Sequence, residues 1–168
     1  MKLAKTCRAK RRRIIGIDPG LASTGWGVLD CKDGKIMYVD HGHIQTKAGV
    51  PRAERLFFIM ESICVILNDY KPTEAAMENL YFGKNVSSAI PVAEARGVIS
   101  ATLAGKGLPV KELTPNAIKA GVSGFAKADK KQVQQMVRVI LGLQEIPKPD
   151  HAADALGAAI CAALSPVI

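Results

Sequence analysis

The chain has 168 residues, 48% of them apolar and 23% charged, with a formal net charge of +8. That length and composition suit one domain with a sizeable core, and no apolar run approaches the ~20 residues of a membrane span. Cys7, Cys31, Cys64 and Cys161 lie far apart with no Cys-x-x-Cys pair, which excludes a disulfide framework or zinc ribbon and points to a reducing cytoplasm.

Residues 1–13 carry seven Lys or Arg and no acid. No secretory signal is visible in them, and they read as a basic, solvated N-terminal tail ahead of a domain spanning 14–168. The apolar run Ile14-Ile15-Gly16-Ile17 then ends in Asp18. Pro19-Gly20 turns the chain, and Trp26-Gly27-Val28-Leu29 leads back out, so the stretch reads as a hairpin. A carboxylate at the end of a buried strand needs a partner, and a metal ion is one such partner. Glycines 16, 20, 25 and 27 would let a large anion approach the backbone closely. Asp33-Gly34 is a hairpin turn signal, and Lys35–Gln45 reads as a third antiparallel strand.

Gly49-Val50-Pro51 breaks the sheet. From Ala53 to Tyr70, Leu56, Phe57, Ile59, Met60, Ile63, Cys64, Ile66 and Leu67 recur at helical spacing, and Lys71-Pro72 stops the helix. Thr73–Glu78 reads as a short buried strand delivering Glu78 at its carboxyl end, where ligands bind in mixed sheets. Tyr81 and Phe82 follow, beside Gly83 and Lys84, as a platform on which an unpaired base could stack. A helix rich in small residues runs from Ser87 or Ser88 to about Ala104, packed within the core or across a dimer. Leu108–Leu113 is a further strand.

Thr114-Pro115-Asn116 opens a helix carrying Lys119, and Gly121–Ala126 reads as a loop. Asp129 or Ala128 caps the next helix. Lys127, Lys130 and Lys131 at its start oppose the helix dipole, which an anion such as phosphate would explain. Pro147-Lys148-Pro149 precedes a last helix, Asp150–Leu164, that is nearly all Ala, Leu and Ile and so reads as buried. Asp150 is its natural N-cap. Asp154 lies one turn into the apolar body, with no cation near in sequence except His151, three residues away on the same face. Unpaired burial of that carboxylate would cost several kcal/mol, by order of magnitude.

A metal shared by Asp18, Glu78 and Asp154, with His151 or Asp150 as fourth ligand, resolves these costs together. Oxygen-rich sites suit Mg²⁺, with Mn²⁺ as substitute, rather than zinc. Residues 106–148 carry eight Lys or Arg against three acids, so a basic region flanks the acids. Mg²⁺ in that setting points to phosphoryl chemistry on nucleic acid, and two ions ~4 Å apart would activate a water and stabilise a leaving 3′ oxygen.

The segments GIDPGLASTGWGV, MENLYFGKNVSSA with AEARGV, KKQVQQMVR and PDHAADALGAAI together resemble the RuvC family of Holliday junction resolvases, across nearly all of 14–164 and in the right order. The resemblance implies an α/β, RNase H-like fold, a mixed five-stranded sheet flanked by helices on both faces. It implies a homodimer that resolves four-way junction DNA by paired symmetric nicks in homologous recombination and DNA repair, leaving 5′-phosphate and 3′-hydroxyl ends. Two Mg²⁺ ions per site would serve a cluster of Asp18, Glu78, His151 and Asp154. Members carry Asp or His at the position of His151, with Asp150 beside it as the alternative. Tyr81 falls where the family places a base-stacking aromatic, followed directly by Phe82. Lys119 and Lys130 fall on basic positions that contact the DNA backbone, and RuvA and RuvB are the partners implied.

Three other readings compete. An RNase H-like nuclease acting on another branched DNA or a structured RNA would use the same acids. An ATPase of the actin and sugar-kinase type needs two lobes, and this length holds one. A non-catalytic DNA-binding module leaves four acids facing phosphate without purpose.

Overall fold

Three isoleucines, Ile14, Ile15 and Ile17, have no exposed surface, which makes their strand the middle of the sheet rather than an edge. The computed structural model describes residues 11–79 and 86–165. This strand, β1 (Arg12–Asp18), lies between β2 (Ser23–Lys32) and β4 (Glu74–Glu78) in a five-stranded sheet of order β3-β2-β1-β4-β5, with β3 at Lys35–Gln45 and β5 at Val110–Leu113. β1, β2 and β3 are antiparallel, joined as the hairpin signals require. β4 and β5 run parallel to β1. The sheet is therefore mixed, as the resemblance implied.

Helices cover both faces. Ile15, Ile17 and Met77 pack with Ile59 and Ile63 of α1 (Arg52–Tyr70) and with Ile99 and Leu103 of α2 (Val86–Gly105). On the opposite face, Ile14, Leu29 and Ala76 pack with α3 (Pro115–Ser123), α4 (Lys130–Ile140) and α5 (Asp150–Leu164) through Ile118, Val133, Val137, Leu156 and Ile160. Eleven residues of α5, from Ala152 to Ala163, are buried, so this helix is the spine of the second layer.

Three expectations change. Glycines 16, 25 and 27 make room for α5, not for an anion. A Cβ on Gly16 would stand 1.9 Å from the Ala155 carbonyl oxygen, one on Gly25 2.0 Å from that of His151, and one on Gly27 2.5 Å from the Leu156 side chain. The helix backbone rests directly on the hairpin. Second, α3 continues through Gly121 to Ser123 instead of giving way to a loop there. Gly121 is a packing position facing Cys161 of α5, and the turn falls to Gly124 at φ 75°. Third, Asp150 is not an N-cap. Pro149 holds that place, and no side chain caps the helix, because the Asp150 carboxylate pairs with Lys130 instead.

The basic N-terminal segment runs into the sheet at its end. Arg12 forks onto Glu74 at 2.6 and 2.9 Å and reaches the carbonyls of Ala162 and Ala163 at the end of α5, where a cation complements the helix dipole. Arg13 and Arg11 both pair with buried Asp30.

Candidate active site

The carboxyl ends of two adjacent parallel strands set the site. Ile17 pairs with Met77, so Asp18 and Glu78, one residue on in each strand, leave the sheet side by side. The turn after Asp18 is closed by Thr24, which is fully buried, accepts from the Gly20 N–H and donates to the Gly20 carbonyl. The first turn of α5 lies over this edge because Gly25 leaves room for the His151 backbone. That contact brings His151 and Asp154 to the strand ends.

His151 Nδ1 stands 2.7 Å from Asp18 Oδ2. Lys130, the first residue of α4, places its ammonium 3.0 Å from Asp154 Oδ2 and 3.3 Å from Asp150 Oδ2. The cation that Asp154 lacks in local sequence thus arrives from another helix. Burial raises the Asp18 carboxyl above its ordinary pKa, and the negative charge of Asp154 adds to this against the opposing pull of His151. Glu78 is raised for the same reasons, burial first and then the charges of Asp18 and Asp154. Burial works against the Lys130 ammonium, but Asp154 and Asp150 outweigh it and hold its pKa up. The three acids repel one another in a partly dry setting, a condition that bound positive charge relieves.

Two cavities meet at Glu78. One, of about 200 Å³, holds Lys119, Lys130 and Asp154 in its walls. The other, of about 330 Å³, is lined by Asp18, Asn79 and Arg96 among others. Three carboxylates form an oxygen donor set of the hard type that suits a divalent cation, with one imidazole nitrogen beside them. Among the described residues, no three of these side chains converge on one point as a shared ion's ligands would. Asp18 is turned to His151 and Asp154 to Lys130.

Asp18, Glu78, His151 and Asp154 therefore share one edge, with Lys119 and Lys130 in the wall of the cavity beside them. Tyr81 and Phe82 lie outside the described residues. Arg96 of α2 and Asn79 were missed by sequence reasoning, and so was Thr24. The signals for Arg96 were its place in the AEARGV segment and its being a lone cation in a helix otherwise poor in charge.

Acids at the carboxyl ends of the central parallel strands of a mixed five-stranded sheet, with a helix crossing over them, define a nuclease of the RNase H-like class. The comparisons with known proteins narrow this further. The chain belongs to the RuvC family: the family described as crossover junction endodeoxyribonuclease RuvC matches residues 14–162. The crossover junction endodeoxyribonuclease RuvC of Treponema denticola is 47% identical over 160 residues, covering 95% of this chain and 90% of that one. Its counterpart from Chloroflexus aurantiacus is 48% identical over 149 residues, covering 89% and 91%. The structure of T. thermophilus RuvC in complex with Holliday junction substrate superposes with a TM-score of 0.84 at 32% identity, covering 89% of this chain and 92% of that one. The chain is thus an endonuclease of crossover junctions, in a family that acts in DNA recombination and repair and depends on divalent metal.

Proposed function

We propose that Asp18, Glu78 and Asp154, with His151 as companion, hold two Mg²⁺ ions at this edge and that the substrate is four-way junction DNA. The observation carrying the assignment is the juxtaposition of Asp18 and Glu78 on adjacent parallel strands, with Asp154 laid over them by α5. Bound there, Mg²⁺ or Mn²⁺ would neutralise the acids, activate a water and stabilise the leaving 3′ oxygen, giving 5′-phosphate and 3′-hydroxyl ends.

The chain's own groups do the rest. Asp18 is the central acid, because it lies between Glu78 on the neighbouring strand and α5. His151 orients the Asp18 carboxylate through its 2.7 Å hydrogen bond. Lys119 and Lys130 line the wall next to Glu78, where their positive charge would hold the phosphate backbone. Tyr81 and Phe82, shortly after Glu78, would stack on a base unpaired at the junction.

Paired symmetric nicks require two such sites, so the working form is a homodimer in the cytoplasm, acting with RuvA and RuvB. The nuclease domain spans residues 14–168, with Arg12 and Arg13, at the end of the basic segment 1–13, already part of β1 and tied to Glu74 and Asp30. The deciding experiment is cleavage of a synthetic four-way junction labelled on opposing strands, with Mg²⁺ and with EDTA, against linear duplex and RNA hybrids. Mg²⁺-dependent paired nicks on the junction support the reading. Asp18→Asn should bind the junction and not cut it; retained cleavage by that variant overturns the assignment. Preferential cutting of an RNA hybrid would move the substrate elsewhere in the RNase H-like class.

A further inference from the structure

Arg96 projects from the middle of α2 into the cavity that Asp18 and Glu78 line. A guanidinium beside two carboxylates of raised pKa would ordinarily collapse onto one of them. Here it does not. Its Nη2 lies 2.8 Å from Glu112 Oε1 and 3.3 Å from the side-chain oxygen of Asn79. The Arg96 side chain is only 18% exposed, whereas that of Glu112 is 53% exposed. Its Nε is buried and has no hydrogen-bond partner among the described residues.

The two partners belong to neighbouring strand ends. Asn79 follows Glu78 directly and donates its main-chain N–H to the Leu113 carbonyl at 2.7 Å. Glu112 precedes Leu113, and Leu113 pairs with Glu78 in the sheet. One guanidinium therefore ties the point where the chain leaves β4 to the end of β5, across the register position that carries Glu78. Glu112 meanwhile keeps that positive charge off the acids.

We propose that Arg96 is a positioning residue for Glu78, acting through Asn79, and that Glu112 is the counter-charge that stops Arg96 from competing with a divalent cation for that carboxylate. The inference rests on the reading of Glu78 as a cation-holding acid. Both contacts come from Nη2, whose two N–H groups lie in the guanidinium plane and point in fixed directions, so the planar group holds Asn79 and Glu112 in a set relation that a rotating lysine ammonium would hold less well.

The test is Mn²⁺ binding to the full chain by isothermal titration, beside junction binding in EDTA. Groups that orient a metal's ligands typically contribute 10- to 100-fold in affinity, so Arg96→Gln should weaken Mn²⁺ binding about tenfold or more. Junction binding in EDTA should stay unchanged, and Arg96→Lys should recover part of the loss. Glu112→Gln alters a half-exposed side chain and serves where Arg96→Gln does not fold. It releases the guanidinium toward Glu78 and should also weaken Mn²⁺ binding. Wild-type Mn²⁺ affinity in Arg96→Gln or in Glu112→Gln overturns the proposal. So does loss of junction binding in Arg96→Gln with Mn²⁺ affinity kept, which would make Arg96 a DNA contact. Glu78→Gln is the control. If it binds Mn²⁺ as tightly as wild type, the reading of the acid site fails; if it loses Mn²⁺ while the Arg96 and Glu112 variants do not, only the present inference fails.

Discussion

His151 Nδ1 and Asp18 Oδ2 stand 2.7 Å apart although 133 residues separate them in the chain. One belongs to the end of a strand and the other to the first turn of a helix, so the bond reports on how α5 sits on the sheet. His151→Ala removes a donor and leaves Asp18 without its hydrogen-bond partner. Cleavage of a four-way junction should fall at least tenfold, roughly the contribution of a group that orients a metal's ligand. Junction binding in EDTA should hold. His151→Asp supplies an oxygen ligand for a cation in place of the ring nitrogen and should retain measurable cleavage. Undiminished cleavage by His151→Ala would remove His151 from the site.

Gly25→Ala tests the contact that carries His151. The added methyl would stand 2.0 Å from the His151 carbonyl oxygen, and backbone cannot yield as a flexible side chain does. Overpacking of this kind costs about 1–3 kcal/mol or more, a fall of several degrees in Tm for a chain of this size. Cleavage should drop further than stability alone accounts for. Gly97 of α2 is the contrast: an added Cβ there meets nothing within 4 Å among the described residues. Gly97→Ala should stabilise the fold by up to about 1 kcal/mol through helix propensity. Thermal melts of the two variants side by side would show whether these opposite signs hold.

Lys130 neutralises Asp154 at 3.0 Å, at the place where the acid site is proposed to take a cation. Lys130→Met should therefore raise the Mn²⁺ affinity of the DNA-free protein, by about fivefold or more if the two cations compete with an ordinary coupling energy. It should lower junction cleavage, because the proposed phosphate contact is lost with the ammonium. Titration of the variant with Mn²⁺ checks the first effect and single-turnover cleavage the second. Unchanged Mn²⁺ affinity would mean that Lys130 and the cation do not share Asp154.

Asp30 sets an acid limit on stability far from the acid cluster. Hydrogen bonds from Arg13 and then Arg11 outweigh its burial and hold the carboxyl down at about 2. A carboxylate with a depressed folded pKa gives stability that is complete above its unfolded pKa, about 4. That stability is lost as pH falls from there toward 2. The contribution is on the order of 2 kcal/mol. Asp30→Asn should lose at least that much at neutral pH and show a shallower decline between pH 4 and 2. Urea unfolding across that range is the measurement.

Much of this was legible in the chain because its signals are local. Asp33-Gly34 turns one hairpin, Thr114-Pro115 starts a helix, and two short apolar runs each end in an acid. The misreadings all concern what comes from far away. A glycine looks the same whether an anion or a helix needs the missing Cβ, so Gly16 and Gly25 revealed a close approach but not by what. Asp150 follows a proline and reads as a cap; only the folded chain brings Lys130, twenty positions earlier, to claim its carboxylate. The cation for Asp154 was likewise absent from its own neighbourhood and present on α4. Arg96 stood out in the sequence only as a cation, and its task could not be read there because neither Asn79 nor Glu112 is near it in sequence.

The way α5 beds into the first hairpin has a consequence for synthesis. Its backbone fills the grooves that Gly16 and Gly25 open, and nearly its whole length is covered. The earliest strands and the last helix thus complete each other, which places the fold's most distant contacts at its centre and slows its assembly. While the chain is still being made, Asp18 and Glu78 can emerge from the ribosome well before His151 and Asp154, which lie more than seventy positions later. The acid cluster is therefore not assembled until α5 has been made, and a product lacking α5 would bring neither His151 nor Asp154 to the strand ends.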